Sequence, residues 1–213
     1  MANAYTDENG VFKNRLGISD AQLLHKMEYE LVAQRSIEIE SGEIQLVVDG
    51  YGLARQQAIH AHLFQDVYEW AGQIRTTLSV KRMDNGQQSR FVDFGTIVGK
   101  WENLEKITQA FVTRQGMGFD QKHDALAEIF ITANCIHAFP EGNGRSLQVF
   151  MKQLAQEQNI GLDYTKVKPK EWNRASAISG EHGRLFEHAH FIASKPDTAP
   201  IKQIFSDISR PLD

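Results

Sequence analysis

Apolar side chains recur every three or four residues along most of this chain, the spacing that places them on one face of an α-helix. Leu23, Met27 and Leu31 follow this spacing behind Ser19, which has the form of a helix-capping residue, and they predict a helix over about 20–40. The other segments with helical spacing are predicted over residues 53–70, 96–114, 121–136, 144–158, 169–178, 185–193 and 201–208. A chain with this pattern buries its apolar residues by packing helices together.

One segment departs from the helical spacing. Between Ile74 and Phe94, the residues Thr76, Leu78 and Val80 alternate with other side chains, as they do in a half-buried strand. Asp84-Asn85-Gly86 follows, and Asn-Gly is a strong signal for the turn of a β-hairpin. The sequence therefore predicts an all-α fold that carries one small β-hairpin.

Length, charge and cysteine content narrow the class of protein. A chain of 213 residues fits one domain with small additions, and its net charge of -4 does not favour nucleic acid or a membrane as partner. Residues 1–10 are polar and lack the apolar core of a signal peptide. Cys135 is the only cysteine, which excludes an internal disulfide and suits a reducing compartment. We therefore expect a cytoplasmic protein, with export as an effector without a cleaved signal left open.

The loop from His137 to Arg145 carries the residues that suggest chemistry. Gly142 and Gly144 let the backbone come close to a ligand, and free N–H groups at the start of the next helix favour an anion. Arg145 adds a fork of donors suited to phosphate, and Glu141 offers the hard oxygen that Mg²⁺ prefers. His137 titrates near neutrality and can take a proton from an attacking hydroxyl. Together these residue types indicate phosphoryl or nucleotidyl transfer.

The residues alone leave a structural interpretation open. Glycine-rich turns between helices are common, and a single histidine beside such a turn usually has a structural role. His60 and His62 point about 200° apart around a helix, which makes them a poor metal pair, and we expect structural or surface roles for them.

The same loop resembles the signature of the Fic family, His-x-Phe-x-(Asp/Glu)-Gly-Asn-Gly-Arg. Every specified position of that signature is present between His137 and Arg145. Residues 62–75 are similar to the segment that precedes the family's hairpin flap. The resemblance covers residues 53–193 as a Fic-type catalytic core, which leaves an N-terminal helical extension over 1–52 and a C-terminal helix and tail over 194–213.

The resemblance implies a Fic-like helical domain with the β-hairpin flap beside the active-site loop. It implies transfer of AMP from ATP, with Mg²⁺, onto a Tyr, Thr or Ser hydroxyl of a target protein. Carried over by position, His137 is the general base, Phe139 anchors the loop, Glu141 holds Mg²⁺, and ATP is bound by Gly142, Asn143, Gly144 and Arg145. The target-binding flap comprises Ser89, Arg90, Phe91 and Val92 and would clamp the target by strand addition.

Two positions depart from the family pattern. Position 138 is Ala where Pro is usual, and position 148 is Gln where active relatives commonly have a second Arg for the γ-phosphate. The family's inhibitory pattern, (Ser/Thr)-x-x-x-Glu-(Gly/Asn), is matched only in part, by Ser36 and Glu40 followed by Ser41. A solvated helix end is the simpler interpretation of that segment. A separate small inhibitory antitoxin, as in toxin–antitoxin members of the family, is then the natural alternative.

Two other functions stay open at this point. A kinase like the Doc relatives would transfer phosphate instead of AMP, but those relatives depart at the acidic position that Glu141 fills here. A catalytically weak or degenerate binding module would keep the fold without turnover, and Gln148 is the feature that favours it.

Overall fold

The structure is a computed structural model that describes residues 4–185 and 191–212. Within them the chain forms seven α-helices, and the mainly helical fold predicted from the apolar spacing is confirmed. Their bounds are α1 Ala21–Glu40, α2 Leu53–Phe64, α3 Ile97–Thr113, α4 Phe119–Ile136, α5 Asn143–Gln156, α6 Pro169–Ile178 and α7 Ala199–Ile208. α4 packs against α3, α5 and α7, while α1 lies against α2. In the described part of the chain, no helix is long and apolar enough to cross a membrane.

The second helix is shorter than its apolar spacing predicts. α2 ends at Phe64, and Val67 and Tyr68 continue in a turn whose amides bond back to the Phe64 carbonyl. Gly72 has φ of 79°, and a Cβ there would lie 2.8 Å from the Cβ of Ala61. The chain thus folds back onto α2, and Val67 is buried by this turn instead of by a longer helix.

The predicted hairpin is present but belongs to a larger sheet. Its strands are β1 Val80–Arg82 and β2 Gln88–Arg90, and the sheet order is β1-β2-β4-β5, all antiparallel. A second sheet pairs β3 with β6. The remaining strands are β3 Ile160–Leu162, β4 His182–Leu185, β5 Phe191–Ser194 and β6 Ser209–Pro211.

The prediction of a helix over residues 185–193 is wrong at both ends, where the structure has β-strands. Leu185 pairs with Phe191 and Arg184 with Ile192 as antiparallel partners, and residues 186–190 lie outside the described residues. The segment forms strands because β4 also pairs with β2. This pairing satisfies backbone groups that a short isolated helix could not pair as well. Tertiary pairing here overrides local spacing.

Candidate active site

The loop between α4 and α5 is held in a closed shape by its own side chains. His137 follows the last residue of α4 in the left-handed region, at φ 49° and ψ 63°, which turns the chain out of the helix. The Oδ1 of Asn143 accepts from the Phe139 N–H at 2.8 Å, and its Nδ2 donates to the Phe139 carbonyl at 2.7 Å. Asn143 therefore shapes the loop, and its role in binding ATP stays a prediction.

A buried arginine from outside the loop ties the loop to the flap. Arg75 donates from Nε to the His137 carbonyl at 2.7 Å, and its backbone N–H donates to the Ala138 carbonyl at 2.8 Å. Its two terminal nitrogens donate to the carbonyls of Thr77 and Val92. Backbone carbonyls thus compensate the burial of this guanidinium, and Arg75 fixes the catalytic loop relative to the residues around β1 and β2.

Phe139 lies in the core beneath the loop, and its role as the anchor of the loop stays a prediction. Its ring is fully buried and stacks on His60 with centroids 3.9 Å apart. His60 accepts from the Gly72 N–H at Nδ1, and its Nε2 lies 3.0 Å from the Glu141 carbonyl, so Nε2 is the protonated nitrogen. Burial lowers the pKa of His60 to about 3, which keeps the ring neutral. His60 has the structural role expected of it, as a brace under the loop.

The two glycines of the loop have different environments. Gly142 is the N-cap of α5 at φ 78°, and a Cβ there would meet the Phe64 ring at 2.2 Å. A Cβ placed on Gly144 would meet nothing within 4 Å. With no side chain at the N-cap to bond them, the first amides of α5 are available to an anion beside Gly144.

His137 is covered by the flap. The Phe91 ring stacks on the imidazole with centroids 3.6 Å apart and planes 7° apart. Burial, helped by the charges of Lys81 and Arg75, lowers the pKa of His137 to about 3. Its Nδ1 is buried, and a backbone contact with Asn134 opposes this lowering of the pKa without cancelling it. A neutral imidazole held in this way can accept a proton once a hydroxyl replaces the Phe91 ring.

Two cavities meet at His137 and Gly144. One has a volume of about 350 Å³ and lies between the loop and residues 77–81, the chain that leads into β1. The other is lined by Phe91 and by Trp172 of α6. Both cavities are lined by His137, Gly144 and Lys81 of β1.

Glu141 and Arg145 face each other one helical turn apart. The Glu141 side chain is 45% exposed, and its Oε1 accepts from the Gly142 N–H at 2.9 Å and lies 3.4 Å from an Arg145 nitrogen. The Arg145 guanidinium lies over the Phe64 ring, 4.9 Å from its centroid, and is paired with the buried carboxylate of Glu28. The carboxylate and the guanidinium, which the sequence predicts to bind Mg²⁺ and phosphate, are therefore brought together at the start of α5.

The flap residues are placed beside the loop, but their strand has no free edge where Ser89 lies. β2 pairs with β1 on one side, while Ser89 and Gln88 pair with β4 on the other. The Ser89 hydroxyl donates to the Ala177 carbonyl, and the Arg90 guanidinium lies over the Phe191 ring at 3.6 Å. The unpaired edge near the cavity belongs to β1 instead. Strand addition by a target therefore stays a prediction, with β1 as the available edge.

Gln148 lies with the partial inhibitory pattern in a shallow pocket between α1 and α5. The pocket is also lined by Ser36, Glu40, Arg145 and Lys152. Glu40 accepts from the Lys152 ammonium at 2.9 Å and from the Ser36 hydroxyl at 3.2 Å. The carboxylate that would restrain a second arginine in relatives is thus paired with a lysine one turn beyond Gln148.

Sequence reasoning missed three residues that build the site: Glu28, Tyr68 and Arg75. All three are buried polar side chains that act on the loop from elsewhere in the chain. Arg75 had a signal, since an arginine in a segment similar to the family's pre-flap region is a candidate for a structural contact. Tyr68 lies in the same segment, whereas Glu28 carried no signal because its contacts depend on how α1 packs.

Comparisons with known proteins agree with this geometry. A sequence model of the Fic/DOC family matches residues 53–155. The chain is 34% identical over 179 residues to protein adenylyltransferase VbhT of Bartonella schoenbuchensis, covering 82% of this chain and 35% of that protein. It is 31% identical over 175 residues to a Salmonella typhimurium protein named probable protein adenylyltransferase Fic, covering 82% of each. The chain thus spans about a third of the first relative's length and most of the second's.

Solved structures share the fold. The N-terminal Fic domain of a VirB-translocated Bep effector protein from Bartonella quintana, with bound ADP, superposes with a TM-score of 0.81 at 23% identity. That match covers 98% of this chain and 95% of the other. The BepC protein of Bartonella tribocorum, with bound AMPPNP, gives 0.78 at 21% identity, over 98% of this chain and 97% of the other. With the loop signature intact and the fold shared, the chain belongs to the Fic/DOC family.

Proposed function

We propose that this chain is a protein adenylyltransferase that moves AMP from ATP to a hydroxyl side chain of a target protein. The observation that carries the proposal is the convergence of His137 with the uncapped start of α5 in one short loop. Nucleotidyl transfer needs a proton acceptor and an anion site close to each other. The names of the two relatives above, both protein adenylyltransferases, support the same reaction.

In the proposed reaction, the target hydroxyl enters between β1 and the loop and displaces the Phe91 ring from His137. The imidazole accepts the hydroxyl proton while the oxygen bonds to the α-phosphorus of ATP. The bond from the α-phosphorus to the bridging oxygen breaks, and pyrophosphate leaves with that oxygen and its electrons. Amides beside Gly144 and the Arg145 guanidinium hold the phosphates during the transfer.

Mg²⁺ fits the carboxylate that is present. The described residues contain no group of three or more His, Cys, Asp or Glu side chains that could hold a metal on their own. Mg²⁺ with a polyphosphate needs only one or two protein carboxylates, because phosphate oxygens and water complete its shell. Glu141 is 45% exposed beside the phosphate site and would supply that ligand. When bound, the ion would neutralise phosphate charge.

The target is proposed to dock on the open edge of β1. The Val80 side chain is exposed on this strand, and Leu78 lies exposed just before it. A peptide added to this edge would run along the 350 Å³ cavity that contains His137. Glu40 is paired with Lys152, and Gln148 has no acidic partner among residues 4–185 and 191–212, which supports control by a separate inhibitory protein.

The test uses a cell lysate, ATP labelled on the α-phosphate or on the γ-phosphate, and mass spectrometry of labelled proteins. We expect α-label and a mass gain of AMP on a Ser, Thr or Tyr. His137→Ala should lower the rate by about 10²–10⁴-fold while ATP affinity and melting temperature stay near those of wild type. The same reaction without Mg²⁺ is the control for the metal.

Any other outcome of this test would contradict part of the proposal. Transfer of γ-label with a mass gain of phosphate would make the chain a kinase. ATP binding without any labelled protein would favour the degenerate module to which the neutral Gln148 points. Wild-type rates from His137→Ala would remove this histidine as the base.

A further inference from the structure

A buried carboxylate from α1 is joined to the arginine of the catalytic loop. The side chain of Glu28 is 5% exposed, and its Oε1 contacts a terminal nitrogen of Arg145. The Tyr68 hydroxyl, itself buried, donates to the second oxygen of the same carboxylate. Glu28 thus bridges a tyrosine of the turn after α2 and the first turn of α5.

This arrangement is poorly explained by stability alone. A buried ion pair costs desolvation of both charges, and an apolar replacement of similar volume is often as stable. What the pair does supply is orientation, because a guanidinium is a planar fork and one fixed nitrogen restricts the whole group. The Phe64 ring beneath Arg145 fixes the plane of that fork as well.

The restrained guanidinium keeps donors for another acceptor. Glu28 and Glu141 both approach the same terminal nitrogen of Arg145. The other terminal nitrogen is buried and makes no hydrogen bond within the described residues. A buried donor left without a partner is costly, so this nitrogen is suited to a ligand that arrives with negative charge.

We propose that Glu28 and Tyr68 are positioning residues that hold Arg145 ready for the outer phosphates of ATP. The inference rests on the proposed function, in which Arg145 binds those phosphates. Glu28 lies in α1, outside the residues 53–155 that the family model matches. The N-terminal helix is thereby assigned a part of the phosphate site.

Calorimetric titration of ATP and AMP into purified variants tests this role. Glu28→Gln keeps the shape but removes the charge, and we expect ATP affinity to fall about tenfold, or ~1.4 kcal/mol. Tyr68→Phe should weaken ATP binding less, by about threefold, since only one hydrogen bond is lost. AMP lacks the outer phosphates, so its affinity should change little in either variant. Glu30→Gln is the matched control, because Glu30 is exposed on the same helix.

The double variant with Arg145→Ala separates the possible failures. If Glu28 acts through Arg145, Glu28→Gln adds no further loss of ATP affinity once Arg145 is alanine. ATP affinity that falls with Arg145→Ala but is unchanged by both Glu28→Gln and Tyr68→Phe would overturn the positioning role alone. Unchanged affinity in Arg145→Ala would overturn the phosphate role and this inference with it. Equal losses for ATP and AMP would mean that Glu28 only maintains the fold, and Tyr68→Phe repeats the comparison should Glu28→Gln unfold.

Discussion

At the scale of single residues, the loop separates positions that the fold requires from positions that a ligand requires. Gly142 belongs to the first kind, because a Cβ would enter the Phe64 ring and its φ is positive. Gly144 belongs to the second kind, since nothing in the structure stands within 4 Å of a built Cβ. The missing side chain leaves the backbone open to a ligand there.

We therefore expect Gly144→Ala to fold normally and to bind nucleotide poorly. Alanine in a helix is more stable than glycine by about 0.5–1 kcal/mol, so the melting temperature should be unchanged or raised. A methyl group pressed against a phosphate should cost about 1–3 kcal/mol of binding. Gly99→Ala in α3 is the matched control, because its Cβ also meets nothing within 4 Å. Normal ATP affinity in Gly144→Ala would place the phosphates elsewhere.

Residues of the loop could be predicted from the sequence because its signature is local. His137, Glu141 and Arg145 lie within nine positions, and the chain can bring them together without help from the rest of the fold. Arg75 and Glu28 reach the same loop from 62 and 117 residues away in sequence. Their side chains are polar but buried, and composition alone gives an expectation of exposure for such residues.

At the scale of elements, the length of the apolar spacing did not decide how well a helix was predicted. α6 is short and has the predicted bounds, with Pro169 at its first position, whereas α2 ends before the predicted position. The helix prediction for residues 185–193 was wrong because a short apolar run fits a strand as well as a helix. The pairing of β4 with β2 decides between them, and that pairing joins residues about ninety positions apart.

Because β1 is the proposed docking edge, we expect a charge on β1 to affect the reaction and a charge on β5 to have no effect. Val80 on β1 is 54% exposed and Ile192 on β5 is 62% exposed, so glutamate at either site should leave the fold intact. We expect Val80→Glu to lower kcat/KM for the target about tenfold by removing an apolar contact, with KM for ATP unchanged. Ile192→Glu should leave both values unchanged. Equal effects of the two variants would mean that the target does not use the β1 edge.

At the scale of the whole molecule, the site is assembled by three regions that meet on the loop. Glu28 of α1 contacts Arg145, Tyr68 of the turn after α2 donates to Glu28, and Phe91 of the flap stacks on His137. Beneath the loop, His60 joins α2 to the Glu141 carbonyl. The stability of the molecule and the shape of the site therefore depend on the same buried groups.

Buried neutral histidines should make the free energy of unfolding depend on pH. Burial, together with the Arg145 charge, lowers the pKa of His60 to about 3, whereas an unfolded histidine titrates near pH 6.5. Between these values the unfolded chain binds a proton that the folded chain excludes, so stability is full above pH 6.5 and falls as the pH decreases. For His60 the slope is about 1.4 kcal/mol per pH unit, and His137 acts in the same direction.

Urea denaturation at pH 7.5, 6 and 5 measures this slope. Glu38 and Asp66 keep their charge over this pH range, because their partner Arg35 lowers the pKa of both carboxyls. His60→Gln should reduce the slope, although it also lowers stability at every pH by disturbing the two hydrogen bonds that brace the loop. His25→Gln, at an exposed histidine of α1, is the matched control and should leave the slope unchanged. A His60→Gln protein with the wild-type slope would mean that His60 is accessible to protons in the folded state, and then the loop it supports must open at neutral pH.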